Sequence, residues 1–481
     1  MKYDKASKNL PPPPQSATGS DSSNYCIALI RPNYKGSDLA PCLSLGYLSG
    51  YLKANKHKAL IIDAKLDELS NSDILAILKR EHISVAGITC LSAVASETAI
   101  LSQYLKVAGI KVIIGGVHPT FMPYQMLVSS GADYVVCGEG EIALLKLAEN
   151  NFDSKLPDGT LIKGVYSLNE LEDENAPVIR ADIVENLDDI PYPDWEQLHP
   201  AHSAWTPPWF IAKQVPVVGI MSSRGCPYSC KFCSSPNFYN RRTRMRSPEN
   251  VLGEMRLLKE KYGIREIKFL DENMTSDTRY VNDLCNAIIK SNLNLPLFTQ
   301  ARADRLDDKL VKTMKRAGFY NIGIGIESAS PVMLKNMNKR EDIDTIKNAI
   351  KVISDNGILV AGFFVLGMPG ETKQTIKETM DFIMSEPLDL INVSILAVLP
   401  GSDYWSELEG QYVRALDSSY WSQATYVPDG LTAKYLVDAE RQATRKFYLR
   451  PRIIFKMLKY IKLRHVRHIF ARLRSMRLFG S

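Results

Sequence analysis

"VPVVGIMSSRGCPYSCKFCSS", Val215 to Ser235, sets an apolar run, a polar turn and three cysteines one after another. The run reads as a strand and the glycine before the first cysteine as its turn. Cys226, Cys230 and Cys233 fall within eight residues of a 481-residue chain that has eight cysteines in all. Downstream, "EIKFLDEN", "PLFTQAR", "NIGIGIES", "LVAGFFVLG" and "LINVSILAV" are five more strand-like runs. Helical stretches such as "PENVLGEMRLLKEKYG" and "DKLVKTMKRAG" lie between them, each closed by a glycine suited to a C-cap, Gly263 and Gly318. Six βα units over residues 211–410 predict a partial (β/α)6 barrel rather than a closed eight-stranded one. Active sites of such barrels sit at the strand C-termini, which is where the cysteines are.

Upstream the same alternation begins at Tyr25. "YCIALIRP", "KALIIDA", "VAGITCL", "KVIIGGV" and "ADYVVCGEG" read as strands, with helix-like segments between them. This predicts an α/β, Rossmann-like unit over residues 25–150, a parallel sheet covered on both faces. Residues 151–210 read as a linker: "LPDGTLIKGVYSLNE" suggests a small hairpin, and "DIPYPDWEQLHP" and "WTPPWF" are too proline-rich for regular structure. Residues 1–24, polar and proline-rich, read as a disordered leader without the apolar core of a signal peptide. No run of 18 apolar residues is present, so no membrane-spanning helix is expected. Eight cysteines in this length exclude a disulfide scaffold, and a cytoplasmic location is the default.

The net charge of +6 hides an asymmetry. From Arg441 to Ser481 there are 13 Lys/Arg and no Asp or Glu, leaving 46 basic against 53 acidic residues before them. Residues 411–481 are therefore expected as a helical, basic C-terminal extension whose apolar residues recur at near-helical spacing. Such a segment packs on the acidic remainder of the molecule or makes peripheral contact with an anionic membrane. Nucleic acid is not an expected partner.

Three thiolates suit a 4Fe–4S cube with one iron left open. Zinc takes four ligands, in paired sets when structural, and no second Cys/His pair of matching spacing stands nearby. A structural zinc or a chance grouping remains the alternative. The other cysteines are scattered, several on expected buried strands where cysteine serves as a small hydrophobe.

Cys226-x3-Cys230-x2-Cys233, with Phe232 before the last cysteine, resembles the signature of the radical S-adenosylmethionine (radical SAM) superfamily. "FLDENMT", with Asp271 and Glu272, resembles the acidic strand-2 motif of its cobalamin-binding branch. "GIGIES", with Gly325, Glu327 and Ser328, is similar to the strand-4 segment that faces SAM. "GFFVLGMPGET", with Gly367, and "LPGS", with Pro400, resemble the strand-5 and strand-6 contacts, and Arg302 would help hold the SAM carboxylate. The resemblance implies that the three cysteines ligate a 4Fe–4S cluster and that SAM chelates the fourth iron. Reductive cleavage of SAM would then give a 5′-deoxyadenosyl radical, with the electron supplied by a flavodoxin- or ferredoxin-type donor.

The first unit resembles the cobalamin-binding domain that precedes many of these barrels. "ITCLSA" (Thr89, Leu91), "VIIGGVHPT" (Gly115, Gly116, His118) and "GADYVVCGEGE" (Gly138, Glu139) carry that likeness. The Asp-x-His-x-x-Gly loop that supplies a cobalt ligand in other cobalamin proteins is absent, so cobalamin here is expected without such a histidine below it. His118 reads by default as a loop histidine. A Rossmann-like unit that holds no corrinoid is the alternative. The domain order resembles both class B radical SAM methyltransferases and the anaerobic magnesium-protoporphyrin IX monomethyl ester cyclases. The first implies methylation of an unactivated carbon; the second implies oxidative cyclisation or rearrangement; a non-enzymatic protein holding a cluster and a corrinoid is a third class. The substrate, a small molecule, lipid or natural product, is not legible, and no residue is singled out as an acid–base catalyst.

Overall fold

The computed structural model describes residues 25–35, 40–174, 176–200, 212–412 and 424–458. The expected leader, the "WTPPWF" segment and the basic tail past Leu458 lie outside the described residues.

Strands β1 (Ile27–Arg31), β2 (Ala59–Asp63), β3 (Val85–Thr89), β4 (Lys111–Gly115), β5 (Tyr134–Val136) and β6 (Val165–Tyr166) form the first sheet, in the order β2-β1-β3-β4-β5-β6. All neighbours are parallel except β6, which pairs antiparallel with β5. Parallel strands covered on both faces need apolar side chains at every position, and alternate residues go to opposite cores. Ala28, Ile30, Ala86, Ile88, Val112 and Ile114 meet the helices 71–80, 95–107 and 123–130. Ile27, Leu29, Val85 and Ile113 meet the helices 43–54 and 141–149. Chain order reverses beside β1, so a crevice opens at the strand C-termini where such sheets bind ligands.

The second sheet uses β7 (Val217–Ile220), β10 (Glu266–Phe269), β11 (Leu297–Ala301), β12 (Phe319–Glu327), β13 (Leu359–Leu366) and β14 (Leu390–Ile395), paired strictly in chain order and all parallel. Between β7 and β10 lies a two-stranded ribbon of β8 (Ser223–Arg224) and β9 (Arg244–Met245). Sequential order with a helical crossover between each pair of neighbours puts the helices on one side, and the sheet is a curled half-barrel open between β7 and β14. Helices 248–262 and 308–317 end on Gly263 and Gly318 in the left-handed conformation, as the sequence predicts. Helix Ala433–Tyr448 covers the outer edge strand β14.

The stretch expected as a linker does structural work at both ends. Its hairpin closes through a Lys155–Leu161 bridge, and β6 extends the first sheet. Further on, Trp195 is buried in the half-barrel core and donates to Glu254 through Nε1 at 3.0 Å. Its neighbour Asp194 takes hydrogen bonds on the first unit, through its N–H to Gly46 O at 2.9 Å and from Ser49 Oγ at 3.0 Å. Burying a ring of that size stabilises by roughly 3 kcal/mol, so this short segment fixes one unit on the other.

Candidate active site

Cys226, Cys230 and Cys233 follow β8 on a loop tied down by the ends of several barrel strands. Glu272, just past β10, accepts from Gly225 N at 3.0 Å. Beyond β12, Met337 O accepts from Lys231 N at 3.0 Å, and Asn338 Nδ2 donates to Ser229 O at 2.8 Å. After β14, Tyr404 N donates to Lys231 O at 3.0 Å. All three thiols are free and half-buried. Burial pushes each up, Cys233 to about 11, while Lys339 and Arg302 act in the opposite sense on Cys230. Among the described residues no three His, Cys, Asp or Glu side chains stand close enough to cage one metal ion. A zinc ion draws its sulfurs to about 2.3 Å from a shared centre. A four-iron cube instead gives each cysteine its own iron, and three thiols on one loop fit that group with one iron left open.

A buried charge cluster adjoins Cys230. Lys339 Nζ lies 3.2 Å from Glu327 and 3.5 Å from Glu341; the Arg302 guanidinium lies 3.1 Å from Asp304 and 3.6 Å from Glu341. Arg302 also stacks on Tyr228, inside the cysteine loop, at 3.8 Å from the ring centroid. Glu327 has φ +66°, a conformation that costs a non-glycine residue about 1–3 kcal/mol and that gathers at functional sites. Its carboxylate lies over Gly325, where a Cβ would stand 2.6 Å from Oε1. Arg302, Gly325 and Glu327 are thus brought together, and Phe232 packs on the barrel core beneath the loop.

Other expected SAM contacts are placed differently. Asp271 is buried, and its Oδ1 accepts from Ser222 N at 3.1 Å, Ser222 Oγ at 2.7 Å and Ser223 Oγ at 2.5 Å, so that oxygen fixes the bend between β7 and β8. Ser328 is buried and hydrogen-bonded to Thr379 Oγ1 and Ser330 N. Gly367 directly follows β13 but faces the helix 433–448: a Cβ there would meet Leu436 at 3.2 Å. Pro400 is buried, and the next carbonyl, Gly401 O, accepts from Asn237 Nδ2 at 2.8 Å.

A second feature lies on the seam between the units. A cavity of about 300 Å³, at the lower end for a small-ligand site, is lined by Thr89, Leu91, Gly115, Gly116, Gly138 and Glu139 from the first unit. Met221, Arg224, Phe238 and Tyr239 close it from the half-barrel. A Cβ added at Gly115 would meet nothing nearer than Val136 at 3.9 Å. That backbone is bare toward the cavity, which is the cradle a bulky planar ligand needs. Gly116 is different: its φ is +114° and a Cβ would lie 2.7 Å from Cys90 O. His118, grouped with these residues in the sequence, does not line the cavity. It is 2% exposed, its Nδ1 is 3.2 Å from Ser92 Oγ, and burial lowers its pKa to about 4. It is packed in the interior away from the cavity lining, so the structure does not bring it together with the other residues of that group.

Arg224 spans the seam, 2.6 Å from Glu139 and 2.8 Å from Glu141, with Arg244 also on Glu139. Burial pushes Glu139 up; Glu141, though burial acts on it in the same sense, is drawn below the usual range by Arg224. Arg224, Tyr239, Lys339 and Glu341 were not picked out from the sequence. Arg224 stands two residues before the first cysteine, yet its partners lie more than 80 residues earlier in the chain. Lys339 and Glu341 belong to a charged loop with no periodicity.

A model of the radical SAM superfamily matches residues 220–383, and a model of the B12 binding domain matches residues 37–148. An uncharacterized methyltransferase of Pyrococcus horikoshii is 30% identical over 86% of this chain and 89% of its own. The anaerobic magnesium-protoporphyrin IX monomethyl ester cyclase of Rubrivivax gelatinosus is 28% identical over 88% of this chain and 77% of its own. In fold, the chain is similar to the radical SAM methyltransferase TsrM from Kitasatospora setae, solved with cobalamin and a 4Fe–4S cluster: TM-score 0.67 at 16% identity, over 92% of this chain and 91% of that one.

Proposed function

Because the chain belongs to the family of radical SAM enzymes that carry a B12-binding domain, we propose that it transfers a methyl group to an unactivated carbon of a small-molecule, lipid or natural-product substrate. A 4Fe–4S cluster, SAM and cobalamin are the cofactors of this family. When bound, they supply a carbon-centred radical and a methyl carrier.

The chain's own residues supply position and environment. Cys226, Cys230 and Cys233 would hold the cluster. Arg302 and Lys339 offer cationic groups to a carboxylate, and Glu327 and Glu341 offer anionic groups to an ammonium, which is the charge pattern of an amino-acid terminus. Thr89, Leu91, Gly115, Gly116 and Gly138 would border the corrinoid. Phe238 and Tyr239 give the seam an aromatic wall that limits water. A flavodoxin- or ferredoxin-type protein is the electron donor in this reading.

The observation that carries the proposal is the shared wall of the seam cavity. Phe238 and Tyr239, five and six residues past Cys233, face the glycine-lined end of the first sheet. One short segment therefore connects the two cofactor sites. The cyclase relative supports oxidative cyclisation or rearrangement as the second reading. Anaerobic turnover of SAM separates the two. Methyl transfer releases S-adenosylhomocysteine together with 5′-deoxyadenosine; 5′-deoxyadenosine alone would favour the second reading, and no SAM cleavage would exclude both.

A further inference from the structure

The helix Ala433–Tyr448 runs the length of β14. Near its start Leu436 packs against Gly367, at the C-terminal end of β13. At its end Tyr448 Oη donates to Ile391 O at 2.8 Å and accepts from Ile391 N at 3.1 Å, at the beginning of β14. The next helix, Pro451–Leu458, consequently sits at the end of the half-barrel opposite the cysteine loop. Its inner side is anchored: Ile453 is 1% exposed, Lys456 pairs with Asp389, and Arg450 Nη1 donates to Met384 O at 3.0 Å. Its outer side is not what a solvated surface needs. Leu449, Ile454 and Phe455 are 51%, 41% and 69% exposed. The cations Arg445, Lys446 and Arg452 flank them, all exposed, and no acidic residue occurs from Arg441 to the end of the sequence. Residues 459–481 add seven more Lys/Arg.

We propose that this end of the molecule docks on an anionic lipid bilayer. Arg452 and Lys456 share Asp389, and Asp381 lies in the groove with Lys446, but the cations outnumber these acids. Aliphatic and aromatic side chains set in a predominantly basic surface match the acyl boundary and the phosphate layer together. A nucleic acid would use the cations and leave Phe455 and Ile454 in water. Because the patch and the cysteine loop are at opposite ends of the half-barrel, docking leaves the mouth of the site clear of the membrane. The surface tethers the enzyme, and SAM cleavage proceeds alike with and without lipid.

The test uses the full-length protein and co-sedimentation with vesicles of phosphatidylcholine, with or without phosphatidylglycerol. Binding is expected only to the anionic vesicles and falls with added salt. The double variant R445Q/K446Q lowers partitioning by roughly 25-fold, about fivefold per cation, and Phe455→Ser lowers it several-fold, with melting temperature and SAM cleavage unchanged. Equal binding to both vesicle types, no binding, or parent-like partitioning of both variants would overturn the proposal. So would a parent dimer that Phe455→Ser converts to a monomer, which would make a second copy the occupant of the patch.

Discussion

The Arg224 guanidinium lies 2.6 Å from the Glu139 carboxylate, with both side chains 9% exposed. Glu139 lines the seam cavity at the end of the first sheet; Arg224 stands two residues before the first cysteine of the barrel loop. One buried ion pair thus joins the two sites, and Glu141 at 2.8 Å completes it.

Removing the cation leaves the buried Glu141 without its partner and Glu139 with Arg244 alone. Breaking a buried pair by deleting one partner costs about 3–5 kcal/mol. Arg224→Ala is expected to lower the denaturant midpoint accordingly and to reduce corrinoid retained after reconstitution. A variant as stable as the parent would show that the pair contributes nothing net.

Gly115 and Gly116 are adjacent but should fail differently. Gly115→Leu adds a Cβ that meets nothing nearer than Val136 at 3.9 Å, beside the cavity; its melting temperature is expected to hold while cobalamin loading falls at least tenfold, a loss of about 1.4 kcal/mol or more. Gly116→Ala puts a Cβ against Cys90 O at a positive φ and is expected to cost about 1–3 kcal/mol of stability. Absorbance of bound corrinoid and thermal melts distinguish the two.

The thiols divide by environment. Burial pushes Cys90, Cys137 and Cys285 up to about 12, whereas the three loop cysteines are half-exposed. In cluster-free protein, alkylation near neutral pH should label Cys226 and Cys230 and spare the three buried cysteines, since the thiolate is the reactive form. Cys230→Ala should also lose the cluster's paramagnetic signal and SAM cleavage; retained activity would refute its assignment as a ligand.

Glu371 makes stability depend on pH. Burial raises its pKa to about 7, and its Oε2 accepts from Gly367 N and Met368 N. The folded chain holds this proton to higher pH than the unfolded one. Its contribution is therefore complete below the unfolded value and is lost as pH rises through about 7, on the order of 3 kcal/mol in all. Glu371→Gln keeps an acceptor without the titration, so its melting temperature relative to the parent should climb between about pH 5 and about pH 8. A constant difference would contradict the burial argument.

Both sheets were legible because parallel strands buried on two faces leave near-continuous apolar runs, and the cysteine loop because three thiols in eight residues have few structural uses. The glycines of the first unit were legible for a related reason, as backbone that must stay bare. Side-chain direction was not. Asp271 belongs to a recognisable motif, yet its Oδ1 is taken by Ser222 and Ser223, and those hydrogen bonds exist only once β7 and β10 pair. His118 follows a glycine pair as a ligand would, but the chain turns it inward beside Ser92. The half-barrel side of the seam, Arg224 and Tyr239, was hidden most completely, since the Arg224–Glu139 pair joins positions 85 residues apart.

The most direct test of radical methyl transfer is the amount of S-adenosylhomocysteine formed per bound corrinoid when reconstituted, reduced protein meets SAM without oxygen. The account predicts an early release matching the corrinoid content, together with 5′-deoxyadenosine, and loss of the first product but not the second in Gly115→Leu. Release of 5′-deoxyadenosine with no S-adenosylhomocysteine from corrinoid-loaded parent protein would contradict it.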